Sequence, residues 1–354
     1  MTSRAPRTRA PKLIGTSAPS PAFAALALIV FFAGDAGAQS GCPAPAASFA
    51  FAGLHPAIEE RMRLSHFRKG EIVEIDPRTM PEAEGRAYVR DLQALGARVS
   101  IYLVGGHCDI GTDCNALKGV KLGPTGSWNW DKSERRVIDI THPAVMDRLA
   151  KGIEAGWRLG ANYVRVDNLH HPAGSTDPRT PDQLEAIVGL AHDIEDRLRR
   201  SGTIPPDRVT GVVAHNNLVV WETLINAGQI RRPPAFLTSE RTAQLFPGRG
   251  YEGDARMKAG TLKPDDIPEI LAGGRIAAKL RVPYSVVEFR RTHDLAARDK
   301  TYALPQAYVD RLRAMPGVSE VIVMPSETHY VGRGEVYPGP GPKLLPAAPQ
   351  CPPV

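Results

Sequence analysis

Two acidic side chains stand where chemistry could be done. Asp167 closes the run Asn162-Tyr163-Val164-Arg165-Val166-Asp167-Asn168, a short β-rich segment that ends on a carboxylate and then a carboxamide. Glu240 follows a second such run, Ala235–Ser239. Other polar groups fall in comparable places: Asp76 ends Glu71–Asp76, Asp139 lies in Arg136–Ile140, His215 and Asn216 follow Val209–Ala214, and Glu288 ends Pro283–Glu288. Two carboxyl groups facing one bound molecule can cleave a glycosidic bond. One protonates the leaving oxygen and the other acts as base or nucleophile. Trp128, Trp130 and Tyr330 offer flat apolar faces on which sugar rings pack. Simpler readings compete. Asp167 can cap the turn that follows it, with Asn168 satisfying local backbone groups. Asn216 can cap a helix over Leu218–Ala227.

Other chemistries fit these residues less well. The sequence has no Gly-x-Ser-x-Gly elbow, no phosphate loop and no His-Glu-x-x-His motif. His107, His170, His171, His215 and His329 raise a metal-dependent hydrolase, yet none forms a His-x-His or i, i+4 pair. The adjacent His170 and His171 would point apart on an extended segment. No metal or other cofactor is expected.

The elements that must position these residues alternate. Strand patterns fall at Glu71–Asp76, Arg98–Val104, Arg136–Ile140, Asn162–Asp167, Val209–Ala214, Ala235–Ser239, Pro283–Glu288 and Glu320–Pro325. Helical patterns lie at Glu82–Leu95, Ala144–Leu159, Pro181–Arg200, Leu218–Ala227, Pro268–Ala278 and Pro305–Ala314. In the second of these, Val145, Leu149, Ile153 and Trp157 recur every four residues, one face of a helix. Val- and Ile-rich strands separated by amphipathic helices predict a parallel sheet, and eight of them predict an α/β fold closed as a (β/α)8 barrel. A single barrel domain is expected over residues 71–336, after a Pro/Ala-rich lead-in at 39–70 and before a Pro-rich tail at 337–354. In such a barrel, function collects at the C-terminal ends of the strands, where the residues named above fall. The irregular stretch between Cys108 and Glu134 has the composition of a functional loop.

Composition and ends bound the reading further. The chain has 354 residues, 42% of them apolar and 23% charged, an ordinary globular composition. Residues 1–38 read as an export signal: Arg4, Arg7, Arg9 and Lys12 form a basic start, Ala22 to Ala33 is apolar, and Ala36-Gly37-Ala38 is a small-x-small cleavage site. Cleavage after Ala38 lowers the formal charge from +6 to +3, so the basic balance is partly a property of the signal. No basic stripe interleaved with aromatics points to nucleic acid. A secreted or periplasmic monomer without a stable membrane anchor is expected. In an exported chain the even set Cys42, Cys108, Cys114 and Cys351 suggests disulfides. Cys108 with Cys114 would close a short loop, and Cys42 with Cys351 would join the two ends of the domain.

One stretch carries a family resemblance. Trp128, Ser133-Glu134-Arg135, Ile138-Asp139-Ile140 and Ala161-Asn162-Tyr163-Val164-Arg165-Val166-Asp167-Asn168 together resemble the core of glycoside hydrolase family 114. Its members are TIM-barrel endo-α-1,4-polygalactosaminidases. The family shows a Trp, a Glu, a Leu-Asp-Ile strand, a helix and a Gly-x-Asp-Gly-Val-x-x-Asp-Asn strand. The likeness spans residues 71–290 more loosely, with His215-Asn216 where the family has Lys-Asn and Thr238-Ser239-Glu240 near its second acid. The resemblance implies that Asp167 and Glu240 are the catalytic carboxylates. The strand-end residues Asp76, Asp139, Asn168, His215, Asn216 and Glu288, with Trp128 from the irregular loop, are the expected substrate-binding set. His215 in place of the Lys, Arg241-Thr242 in place of a Cys-containing turn, and Asn162-Tyr163 in place of Asp-Gly depart from the pattern and bear on sugar specificity. The expectation is an exported glycosidase acting on a polysaccharide that contains α-1,4-linked galactosamine. The alternatives are a non-catalytic carbohydrate-binding barrel and a metal-dependent polysaccharide deacetylase or hydrolase.

Overall fold

The structure, a computed structural model, describes residues 49–52, 69–76, 82–105, 107–109, 122–125, 135–138, 140, 142–167, 180–247, 252–293, 300–325 and 331–343. All of them lie in the unit that runs from Cys42 to Val354. In chain order come β1 (Phe49–Ala52), β2 (Ile72–Ile75), α1 (Glu82–Ala94) and β3 (Arg98–Val104). Three short strands follow, β4 (His107–Asp109), β5 (Leu122–Thr125) and β6 (Arg135–Ile138). Strand and helix then alternate: α2 (Pro143–Leu159), β7 (Tyr163–Asp167), α3 (Thr180–Arg200), β8 (Gly211–His215), α4 (Leu218–Asn226) and β9 (Phe236–Glu240). The last third holds α5 (Glu252–Lys258), α6 (Pro268–Leu280), β10 (Tyr284–Phe289), β11 (Arg291–His293), β12 (Thr301–Ala303), α7 (Gln306–Arg313), β13 (Glu320–Met324), β14 (Val331–Arg333) and β15 (Glu335–Pro338). Among the described residues no helix is long and apolar enough to cross a membrane.

Eight of these strands, β1, β2, β3, β7, β8, β9, β10 and β13, stand side by side in sequence order, each parallel to the next. This is a (β/α)8 fold. β14 pairs antiparallel with β1, and β15 pairs antiparallel with β13. A single residue, Gly334, separates β14 from β15, so one extended segment bridges the two outer parallel strands. No side chain fits at that crossing, where a Cβ on Gly334 would lie 2.5 Å from Ile322 Cγ2.

Strand alternation sorts the side chains into two apolar layers. Val73, Ile75, Val164, Val166, Val212, Ala214 and Leu237 face the helices. Ile72, Tyr163, Val213, Phe236, Val287, Phe289, Ile322 and Met324 form a second cluster inside the curled sheet, where Tyr163 meets Phe236 edge to face at 5.0 Å. Burial on both faces is what a parallel sheet requires. The predicted helical stripe holds: Val145, Leu149, Ile153 and Trp157 of α2 are all buried. The His142 side chain accepts from the Ala144 N–H at its start, and Gly160, at φ 109°, ends it in the left-handed region.

Two strand expectations need correction. Arg136–Ile140 was read as the third barrel strand, but β6 pairs antiparallel with β4 and β5 in a separate small sheet. β3 pairs directly with β7 instead. The eighth parallel strand is β1, inside the stretch expected to be a lead-in. The sheet therefore starts before residue 71, and β15 runs past residue 336.

A buried acid lies near the N-terminal ends of β10 and β13. Ser285 Oγ donates to Glu320 Oε1 at 2.8 Å. Burial pushes the Glu320 carboxyl up from 4.5 to about 7, although the Ser285 hydrogen bond pulls the other way. The folded chain thus binds this proton more tightly than the unfolded chain does. The stabilisation is complete below about pH 4.5 and is lost as pH rises through about 7. Glu320→Gln, which mimics the protonated acid, is expected to match wild type near pH 4.5. At pH 8 it should be more stable by about 1–3 kcal/mol. Thermal denaturation of both proteins at the two pH values checks this; an unchanged difference in Tm would show that the burial cost is relieved some other way.

Candidate active site

Asp167, His215 and Glu240 are the last residues of β7, β8 and β9, three adjacent parallel strands. Alternation brings them inward with Tyr163, Arg165, Val213, Phe236 and Thr238. His215 Nε2 lies 3.2 Å from Asp167 Oδ1 and 3.9 Å from Glu240 Oε2. Those two oxygens are therefore no farther apart than the sum of the two distances, about 7 Å. The Asp167 and Glu240 side chains keep 14% and 10% of their surface exposed, whereas His215 keeps none. The two acids are reachable from solvent and the histidine between them is not.

Arg165 sits at the centre of the site. Its Nη2 pairs with Glu74 Oε1 at 2.8 Å. Its Nη1 lies 3.4 Å from Glu240 Oε2 and 3.2 Å from His215 Nδ1, and the guanidinium stacks 4.9 Å from the Tyr102 ring centroid. Tyr102 Oη in turn donates to Asp167 Oδ2 at 3.0 Å. Burial pushes Glu74 up to about 7; Arg165 pulls it down, while Glu240 and Asp167 push it further up. Burial works against the Arg165 charge, but Glu74, Glu240 and Asp167 together raise its pKa above the ordinary value. Burial first, and the Asp167 carboxylate second, hold the Tyr102 phenol well above its usual range, so it stays a donor.

These contacts select a tautomer for His215. Its Nδ1 faces Arg165 and Thr238 Oγ1, the latter at 2.8 Å. A guanidinium can only donate. Nδ1 therefore accepts, and a singly protonated ring carries its hydrogen on Nε2, aimed at Asp167. The Asn216 amide nitrogen lies 3.0 Å from the same Nε2, and its Oδ1 accepts from the Glu240 backbone N–H at 3.1 Å. The cation at Nδ1 outweighs the neutral amide at Nε2 in fixing the proton.

Backbone strain gathers at this rim. Asn216, Asn217 and Arg241 directly follow β8 and β9, with φ of 44°, 47° and 52°, in the left-handed region that non-glycine residues rarely enter. Asn216 does not cap the following helix. The N-cap is Asn217, whose side chain makes no cap bond, and the Glu269 carboxylate accepts instead from the Leu218 and Val219 N–H groups.

The remaining expected site residues are placed as follows. Asp76, fully buried, follows β2 on the side of Glu74 by alternation. Glu288, expected among the mouth residues, belongs to the other face of its strand. Val287 and Phe289 point inward, while Glu288 accepts from the Thr242 N–H at 3.0 Å and from its hydroxyl, beside Tyr308 of α7. Trp128, Asp139, Asn168, Cys42, Cys114 and Cys351 lie outside the described residues, and Cys108 is described only as part of the β4 backbone. Among the described residues no three His, Cys, Asp or Glu side chains group as metal ligands do.

No protein-family model matches the chain, and no curated protein does. Solved structures do resemble it in fold. The glycoside hydrolase domain of PelA from Pseudomonas aeruginosa superposes with a TM-score of 0.53 at 16% identity, covering 83% of this chain and 100% of that one. Aspergillus fumigatus Ega3, solved in complex with galactosamine, gives 0.50 at 12% identity, with 84% of this chain and 97% of the other covered. At these identities the likeness is one of fold.

Proposed function

We propose that this chain is a glycoside hydrolase in which Asp167 and Glu240 are the acid/base pair. The observation that carries the reading is the pairing itself: two partly exposed carboxylates on the strand ends either side of β8, within about 7 Å of each other and bridged by His215. One carboxyl protonates the leaving oxygen while the other acts as base or nucleophile. The proposed substrate is a polysaccharide containing α-1,4-linked galactosamine, cleaved internally and outside the cell. Supporting this are the resemblance around Asp167 and the fold shared with the PelA domain and with Ega3, which was solved with galactosamine bound. The test is incubation with a panel of amino-sugar polymers, read as released reducing ends. Binding without release would favour the non-catalytic barrel, and release only after metal addition would favour a metal hydrolase.

Asn216 tests the rim. Its amide oxygen accepts from the Glu240 backbone N–H and fixes the strand end that carries this acid. Asn216→Ala is expected to lower kcat/KM about 10–100-fold, since small displacements of a catalytic group are that costly. Tm should fall only slightly: alanine tolerates the φ of 44° less well than asparagine does, but the side chain caps no helix. A fall in Tm with kcat/KM intact would return Asn216 to a structural role.

A further inference from the structure

Arg165 and Glu74 are too deep to touch a substrate. Their side chains are 2% and 0% exposed, against 14% and 10% for Asp167 and Glu240. Yet Arg165 reaches every group that matters: Glu240 and His215 through Nη1, and Asp167 through the ring of Tyr102. Glu74 holds the other end of the guanidinium, and Ser100 Oγ donates to its second oxygen at 3.3 Å.

We propose that Arg165, braced by Glu74, is a positioning residue that fixes Glu240 and His215 and sets the pH range over which the acid pair works. The proposal rests on the glycosidase reading for its functional meaning, though not for its test. The charged and titratable groups facing Arg165 are Glu74 from β2, Tyr102 from β3, Asp167 from β7, His215 from β8 and Glu240 from β9. Arg241, just beyond β9, adds a second cation, 3.5 Å from Glu240 Oε1. Three carboxylates around Arg165 leave excess negative charge in a nearly dry space. Each member therefore shifts the proton affinity of the others.

The two residues of the brace then act with opposite sign, which a purely structural role would not produce. Glu74→Gln removes a like charge from the acids and leaves the guanidinium wholly to Glu240. The alkaline limb of the kcat/KM profile is expected to move down by about one pH unit. Arg165→Met removes the cation and should move the same limb up by a comparable amount. Arg165→Lys keeps the charge and should lie nearer wild type, and Glu74→Gln combined with Arg165→Met should fall between the single variants.

The experiment has two readouts. One is the pH profile of polymer cleavage. The other is carbon-13 NMR titration of side-chain carboxyls in protein labelled at glutamate, with Glu240 assigned by the signal that Glu240→Gln removes. The second reads Glu240 directly and needs no turnover. Opposite displacement of the Glu240 midpoint in Glu74→Gln and Arg165→Met carries the proposal. An unmoved midpoint in folded variants, or displacement in the same direction, overturns it. If wild type cleaves nothing while the NMR midpoints move as expected, the glycosidase reading fails and the electrostatic role stands. Should Arg165→Met not fold because Glu74 is left unpaired, the double variant and Glu74→Gln alone still decide the sign.

Discussion

Glu240→Gln and Asp167→Asn are each expected to give a folded protein whose glycosidase turnover is lower by at least about three orders of magnitude. Both changes keep size and shape and remove the negative charge and the ability to hold or release a proton. Asparagine at 167 can still accept from Tyr102 Oη through its amide oxygen. Glutamine at 240 keeps the backbone contact with Asn216 and loses only the attraction to Arg165 and Arg241. Tm should therefore move far less than activity does. Reducing-end release and thermal denaturation of the two variants give the comparison. Either variant retaining a tenth or more of wild-type activity would remove that residue from the catalytic pair. The separation of the two carboxyl groups also bears on stereochemistry. About 5–5.5 Å serves a covalent intermediate and retention, and about 6.5–9.5 Å admits a water and gives inversion. The bound of about 7 Å on the nearest oxygens spans both ranges. The anomer first released, followed by proton NMR, separates them.

The sequence made some of this site legible and hid the rest for physical reasons. Helix α2 could be read because its apolar period is local and unbroken, and β7 because five residues alternate cleanly between two buried faces. The position of β6 could not be read. Arg135–Ile138 has the composition of a strand, but which strand it pairs with depends on partners far away in the chain. β1, four residues in an Ala-rich stretch, is too short to stand out. Glu288 was misplaced for a related reason. In a parallel sheet both faces are apolar, so nothing in Tyr284–Phe289 says which parity faces inward. Arg165 is the instructive case. Alternation already put it on the side of Asp167, and a cation between two valines in a central strand needs a buried counter-ion. The sequence did not show that this counter-ion is Glu74, on another strand, with the Tyr102 ring stacked on the guanidinium.

Trp157→Ala is expected to destabilise the protein by about 3–5 kcal/mol, the usual loss for deleting a buried aromatic ring. Trp157 is fully buried in the last turn of α2, whose apolar stripe packs on β3 and β7. The helix cannot close over the cavity by shifting inward. It already lies so near β3 that a Cβ on Gly156 would come within 2.9 Å of Ile101 Cγ1. The cavity should therefore persist, which places the loss toward the upper end of that range and lowers Tm by roughly 4–8 °C. Trp157→Phe should lose much less. It keeps most of the ring and removes the indole N–H, which is buried and has no hydrogen-bond partner among the described residues. Chemical denaturation of both variants gives the two losses. An alanine loss below about 1 kcal/mol would mean that the helix does relax into the space. Because β7 carries both Arg165 and Asp167, the alanine variant should also lose activity at temperatures below its own Tm. The phenylalanine variant should keep it.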